Sequence, residues 1–269
     1  MVQGLLLVDN DGTFIPGTEL RNRAVLEGIV SEFSSAAGVD YIIPWDLCNG
    51  RPETHIHRII CGNGFHQLAD YITPKDFEER AREGYLAMIP DFSPRAEMVE
   101  TLYDLKRMGI MSVLVTNSED RPVYNGLSEA FGCVACDRED IFPIVVTKTD
   151  ILSAGKQPKP SSDPFAYAHQ LAGDKFGSIP LDRVVIIEDS ATGVEAGLAF
   201  TGNSAQIIQF TDMASPHPEA GHCVETMQEC QGAISAILKV ELSRPAASPA
   251  QETLILLPAP GILVPSPAV

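Results

Sequence analysis

Five short segments, at residues 5–8, 112–116, 144–147, 184–187 and 206–210, do most to limit the folds open to this chain. Several are nearly continuous Val, Ile and Leu. Such runs are too short for core helices and lack the alternation of a strand with one wet face, so they suit strands covered on both sides. Between them lie longer patterns with helical spacing. Residues 98–108 place Leu102, Leu105 and Met108 on one face, with Gly109 as a C-terminal stop. Residues 118–131 and 162–171 give two more helices. Strands alternating with helices predict an α/β fold, a Rossmann-like parallel sheet with helices on both faces.

Residues 15–91 break that rhythm. Val25, Leu26, Ile29 and Phe33 mark one amphipathic helix, and Ile56, Ile59 and Ile60 share a face of another that opens at Pro52. Residues 77–88 form a third, and no strand pattern intervenes. The expected organisation is therefore a core of residues 1–14 and 92–243, a helical cap domain of residues 15–91 inserted after the first strand, and a Pro/Ala-rich tail of residues 244–269. The tail's apolar run at 253–257 is expected to dock on the domain's own surface.

The length, 269 residues, allows one sizeable core and a smaller accessory unit. The formal net charge of -17 repels phosphate backbones and anionic lipid, which makes nucleic acid and membrane surfaces poor partners. An anionic small substrate then needs local positive charge from a metal or a few placed Lys and Arg. Six cysteines in a chain of this length do not read as a disulfide scaffold. The N-terminus lacks the basic region of a signal peptide, and no stretch is long and apolar enough to span a bilayer. A cytoplasmic location is expected.

Ligands of an open parallel sheet sit at the carboxyl ends of its strands. The first strand runs into Asp9, Asp11 and Thr13, in "LLLVDNDGT"; the second into Thr116, Asn117 and Ser118; the fourth into Glu188, Asp189 and Ser190. Lys159 follows in "KPSSDPF". Asp9, Glu188 and Asp189 are hard oxygen donors suited to Mg²⁺, which would relieve their mutual repulsion and mask the charge of an incoming phosphate. Lys159 and the Thr116 hydroxyl can receive phosphoryl oxygens. Asp9 keeps one oxygen free to attack phosphorus, and Asp11, two residues on, can protonate the leaving oxygen and later take a proton from water. Gly12 permits the sharp turn out of the strand.

"DNDGT", "VLVTNS", "KPSSDPF" and "VVIIEDSATGVEAG" resemble, in order, the four motifs of the haloacid dehalogenase superfamily, over residues 4 to about 210. The cap between the first two resembles the subgroup of small-molecule phosphatases and β-phosphoglucomutase. That resemblance implies Asp9 as nucleophile, Asp11 as general acid/base, and Thr116, Asn117 and Lys159 around the phosphate, with Lys156 the alternative lysine. It implies that Asp9, the Asp11 backbone carbonyl, Glu188 and Asp189 hold Mg²⁺. Family dehalogenases and phosphonatases lack an aspartate at the position of Asp11, so its presence implies phosphoryl transfer from an oxygen ester.

In the cap, "NGRPETHIH" offers Arg51 as a reader of the substrate beyond its phosphate. His55 and His57 lie two apart and cannot share a helix face, so they are expected to be surface or packing residues. Cys133 and Cys136 form a single CxxC with no second pair, and Cys48 and Cys61 lie near the two histidines; packed thiols are expected rather than zinc. The leading expectation is an Mg²⁺-dependent phosphatase of a small phosphorylated metabolite, a sugar or polyol phosphate. The alternatives are a phosphomutase of the β-phosphoglucomutase type and a catalytically silent binding protein on the same fold.

Overall fold

The structure, a computed structural model, describes residues 2–48, 51–87, 93–132, 138–212 and 214–242. Among them, six parallel strands form one sheet: β1 (Gly4–Val8), β2 (Ile110–Val115), β3 (Val145–Val146), β4 (Val184–Glu188), β5 (Ile207–Phe210) and β6 (His222–Val224), in the order β3-β2-β1-β4-β5-β6. The chain winds outward from β1 through β2 to β3. It then crosses to the other side of β1 and continues through β4, β5 and β6. The switch point of this doubly wound sheet lies between β1 and β4, where a crevice opens beyond the strand ends.

The side chains of β1 alternate between two apolar layers, as the pleat requires. Leu6 and Val8 join a cluster that includes Leu102 and Leu105 of α6 (Met98–Arg107), Val123 and Leu127 of α7 (Asp120–Gly132), Ile141 of α8 (Arg138–Ile141) and Ile234 of α12 (Met227–Leu238). Leu5 and Leu7 face the opposite layer, with Ile151 of α9 (Lys148–Ser153), Phe165 and Ala168 of α10 (Asp163–Phe176) and Ala196 of α11 (Ala191–Thr201). Burial on both faces explains why β1 and β4 read as unbroken apolar runs.

Between β1 and α6 lie, among the described residues, five helices: α1 (Thr18–Ala37), α2 (Trp45–Cys48), α3 (Glu53–Gly62), α4 (Leu68–Tyr71) and α5 (Pro74–Ala87). They enclose a separate apolar cluster around Leu26, Ile56, Ile60, Phe65, Phe77 and Ala81. Ile15 belongs instead to the sheet's cluster, and Asp11 and Ile15 form a parallel bridge, so the chain keeps company with the core until Pro16 and Gly17. Pro52 is the N-cap of α3 rather than its first helical residue, with the extended ψ of 148° that a cap takes. The tail of residues 244–269 and its run at 253–257 lie outside the described residues, as do Cys133 and Cys136.

The candidate active site

Register sets the site. Val8 lies opposite both Leu114 and Ile187, and the Asp9 amide donates to the Ile187 carbonyl at 2.9 Å, extending the ladder by one residue. Asp9 and Glu188 therefore emerge side by side, and Asp189 follows at once; all three are buried. Their carboxylates each present an oxygen within 4.8 Å of the others, and they are the one group of acids, histidines or cysteines among the described residues with that convergence. Two glycines make the crowding possible. A Cβ at Gly12, whose φ is +85°, would stand 2.0 Å from Asp189 Oδ2; one at Gly193 would stand 2.0 Å from Glu188 Oε2.

Lys159 enters this acid group from below. Its Nζ lies 2.8 Å from Asp9 Oδ1, 2.5 Å from Glu188 Oε1 and 2.8 Å from the Val115 carbonyl. Burial, then the charge of Glu188, push the Asp9 carboxyl above its ordinary range, while Lys159 pulls the other way. Burial disfavours the charge on Lys159, but Asp9 and Glu188 outweigh it and hold the ammonium firmly protonated. Three acids converge and the one ammonium among them contacts only Asp9 and Glu188, so a hard divalent cation fits the remaining donors. Lys156 takes no part: it is half-buried, with its Nζ 5.7 Å from the centre of the Tyr167 ring.

Asn117 holds the backbone of Lys159 in place. Its Oδ1 accepts from Lys159 N at 3.0 Å and its Nδ2 donates to Lys159 O at 3.1 Å. Its side chain is thus spent on the lysine, although the residue lines the same cavity. Asp11 is oriented from β2. Ser118 Oγ donates to Asp11 Oδ2 at 2.7 Å and Thr116 Oγ1 donates to the same oxygen at 3.3 Å, while Thr116 Oγ1 accepts from Ser118 N at 3.0 Å.

A cavity of about 190 Å³ joins these groups to the helical unit. Asp9, Asp11, Thr116, Asn117, Lys159 and Asp189 line its floor; Asn22, Arg23, Arg51, Glu53 and Tyr85 line its roof. Arg51 is exposed and its Nε donates to the Leu47 carbonyl at 3.2 Å, which fixes its stem beside the opening. Glu53 accepts from Tyr85 Oη at 3.2 Å. Burial raises the Glu53 carboxyl above its usual range, with Lys148 and the Tyr85 hydroxyl opposing. His55 is exposed, and His57 is buried against Phe77 with Nε2 2.9 Å from the Ile72 carbonyl, so neither reaches the cavity. Cys61 Sγ lies 3.8 Å from His57 Nδ1, and Cys48 is buried.

Sequence reading gave no role to Ser118, Glu53 or Tyr85. Ser118 carried a signal, a hydroxyl following Thr116 at a strand end. Glu53 and Tyr85 carried none, because they meet across two helices 32 residues apart.

The sequence model for haloacid dehalogenase-like hydrolases matches residues 5–201. The chain belongs to that family. Comparison with curated proteins finds no match. Among solved structures, CbbY from Rhodobacter sphaeroides in complex with phosphate superposes with a TM-score of 0.59 at 19% identity, over 89% of this chain and 100% of that one. A protein provisionally assigned as a β-phosphoglucomutase from Thermotoga maritima gives 0.58 at 17%, over 88% and 100%. A HAD family hydrolase from Deinococcus radiodurans R1, with bound phosphate and sodium, gives 0.58 at 20%, over 88% and 96%. These likenesses are likenesses of fold. Among the described residues, no helix is long and apolar enough to cross a membrane.

Proposed function

We propose that this hydrolase is an Mg²⁺-dependent phosphatase of a small phosphorylated metabolite, a sugar or polyol phosphate. One observation carries the reading: Asp9 and Asp11 line one cavity with Lys159, while Ser118 and Thr116 turn Asp11 toward its acid/base task. Asp9 attacks phosphorus and takes the phosphoryl group as an aspartyl phosphate, and Asp11 gives its proton to the departing alcohol. Asp11 then removes a proton from the water that cleaves the acyl phosphate. Lys159 and Thr116 bind phosphoryl oxygens by exchanging their present partners Glu188 and Asp11 for them, and Lys159 opposes the rise that burial and Glu188 impose on the Asp9 carboxyl.

Asp9, Glu188 and Asp189, with the Asp11 carbonyl, would hold Mg²⁺; when bound, the ion offsets the negative charge of the ester against that of the acids. The roof supports a hydroxyl-rich leaving group, because it offers the donors and acceptors of Asn22, Arg23, Arg51, Glu53 and Tyr85 within a cavity that a few carbons fill.

A panel of phosphorylated metabolites assayed for released phosphate, with and without Mg²⁺, tests the reading. Expected are Mg²⁺-dependent release from at least one sugar or polyol phosphate and a trapped phosphoryl group on Asp9 in acid-quenched protein. Phosphate release with the label on any other residue would overturn the mechanism. Return of the label to a sugar hydroxyl in place of release would favour the mutase.

A further inference from the structure

Arg95 lies outside the cavity, yet it is nine-tenths buried and bonded to the backbone that carries Asp11. Its Nη2 donates to the Gly12 carbonyl at 2.6 Å, its Nε to the Thr13 carbonyl at 3.0 Å, and its backbone amide to the Phe14 carbonyl at 2.7 Å. The far side of the guanidinium meets Asp212, Nη1 to Oδ2 at 2.8 Å and Nη2 to Oδ1 at 3.3 Å, just beyond the end of β5. Its flat face rests 3.9 Å from the centre of the Phe210 ring. One side chain thus fastens three points distant in sequence: the segment leaving β1, the segment returning before α6, and the end of β5.

We propose that Arg95, paired with Asp212, is a positioning residue that sets where Asp11 stands relative to the leaving group. Gly12 is the link between Arg95 and Asp11. Its carbonyl is held by Arg95 and its amide donates to the Ile15 carbonyl at 2.9 Å, so the two peptides that flank Gly12, the first of them joined to Asp11, are each fixed by one bond. Without the guanidinium, two buried carbonyls lose their donor, and Asp212 loses the partner that fixes it. A lysine carries the charge but cannot span both carbonyls and the carboxylate as a planar fork does. The loop of residues 11–14 then shifts, and Asp11 loses alignment with Ser118 and Thr116. Asp9 is less affected, because the β1–β4 ladder and Lys159 hold it independently.

This inference rests on the acid role proposed for Asp11, which makes leaving-group dependence the informative measurement. Phenyl phosphate needs its leaving oxygen protonated more than p-nitrophenyl phosphate does. In Arg95→Met, kcat/KM should fall at least tenfold for phenyl phosphate and less than threefold for p-nitrophenyl phosphate. Arg95→Lys should recover part of the difference, and Asp212→Asn should show a weaker form of the same pattern. On an Asp11→Asn background, Arg95→Met should add less than twofold. Hydrogen exchange provides a readout independent of turnover: the amides of Gly12 and Ile15 should exchange at least tenfold faster in Arg95→Met, with those of β4 unchanged. Equal losses for the two esters in folded protein, or unchanged exchange at Gly12 and Ile15, would overturn the proposal. If wild-type protein hydrolyses neither ester, the phosphatase reading falls, and the exchange result alone decides whether Arg95 fixes the loop.

Discussion

Gly12 makes room for Asp189: a Cβ at position 12 would stand 2.0 Å from the Oδ2 of that carboxylate. The turn out of β1 thus lies against the acid after β4, and a side chain at position 12 would have to displace the Asp189 carboxylate. Gly12→Ala combines this clash with a left-handed φ that alanine adopts at a cost of about 1–2 kcal/mol. The variant should fold, and the Mg²⁺ concentration needed for half-maximal activity should rise about 10- to 100-fold, as when a ligand's support is removed. An unchanged Mg²⁺ requirement would show that Asp189 binds no metal.

Asp9→Asn should leave the fold intact and abolish turnover, since a neutral amide cannot form the acyl phosphate. Asp11→Asn should slow turnover by about 10²–10⁴, the usual span for general acid–base catalysis. Steady-state rates on p-nitrophenyl phosphate, with circular dichroism as a control for folding, test both. Residual activity of Asp9→Asn near that of wild type would remove Asp9 as nucleophile.

Chelation should abolish activity and Mg²⁺ restore it. Ca²⁺ should support little turnover, because its larger and looser shell leaves Asp9 misplaced for attack. Full rates after exhaustive chelation would contradict the assignment of Asp9, Glu188 and Asp189 to a cation.

Arg51 stands at the opening of the cavity, with its stem fixed to Leu47. Arg51→Ala should lower kcat/KM for the best metabolite in the panel by about 1.5–3 kcal/mol, the worth of a lost charge-assisted hydrogen bond. For p-nitrophenyl phosphate, which lacks the groups Arg51 would hold, the loss should be small. Equal losses for both substrates would make Arg51 a support of the helical unit instead.

Glu53 allows a test by pH. Its folded-state carboxyl titrates above the ordinary glutamate range because it is half-buried and loses hydration, with Tyr85, Lys148 and Glu78 as its charged or titratable neighbours. In the unfolded chain it ionises near its usual value, about 4.3. Below that value both states are protonated and the residue costs nothing. As pH rises the unfolded state loses its proton first, so folding stability declines. Glu53→Gln should match wild type in Tm near pH 4 and exceed it near pH 7. A lower Tm at pH 7 would show that attraction to Lys148 outweighs burial.

The parts of this molecule that the sequence made legible are those with local signatures. β1 and β4 are buried on both faces and read as apolar runs; Asp9, Thr116 and Asp189 directly follow a strand, Glu188 ends one, and Asp11 lies two residues past Asp9. The missed elements had weaker marks or none. β6 is three residues at the sheet edge, one of them buried. α11 has small residues where an amphipathic stripe is expected, because a Cβ at Gly197 would stand 3.0 Å from Ile207 Cδ1 and one at Gly193 would run into the Glu188 carboxylate. The pairing of Arg95 with Asp212 spans 117 residues. No periodicity encodes such a contact; it appears only once the sheet order brings the end of β5 beside the turn after β1.

The five helices of the roof arrive as one uninterrupted stretch between β1 and β2, and they pack around an apolar centre of their own. This makes the molecule modular in a practical sense. Two splices, one after Ile15 and one before Arg95, would remove every roof residue while sparing the strand ends and the Arg95 tether. A chimera built that way with a roof from another family member should inherit the donor's choice of ester and keep the recipient's phosphoryl chemistry.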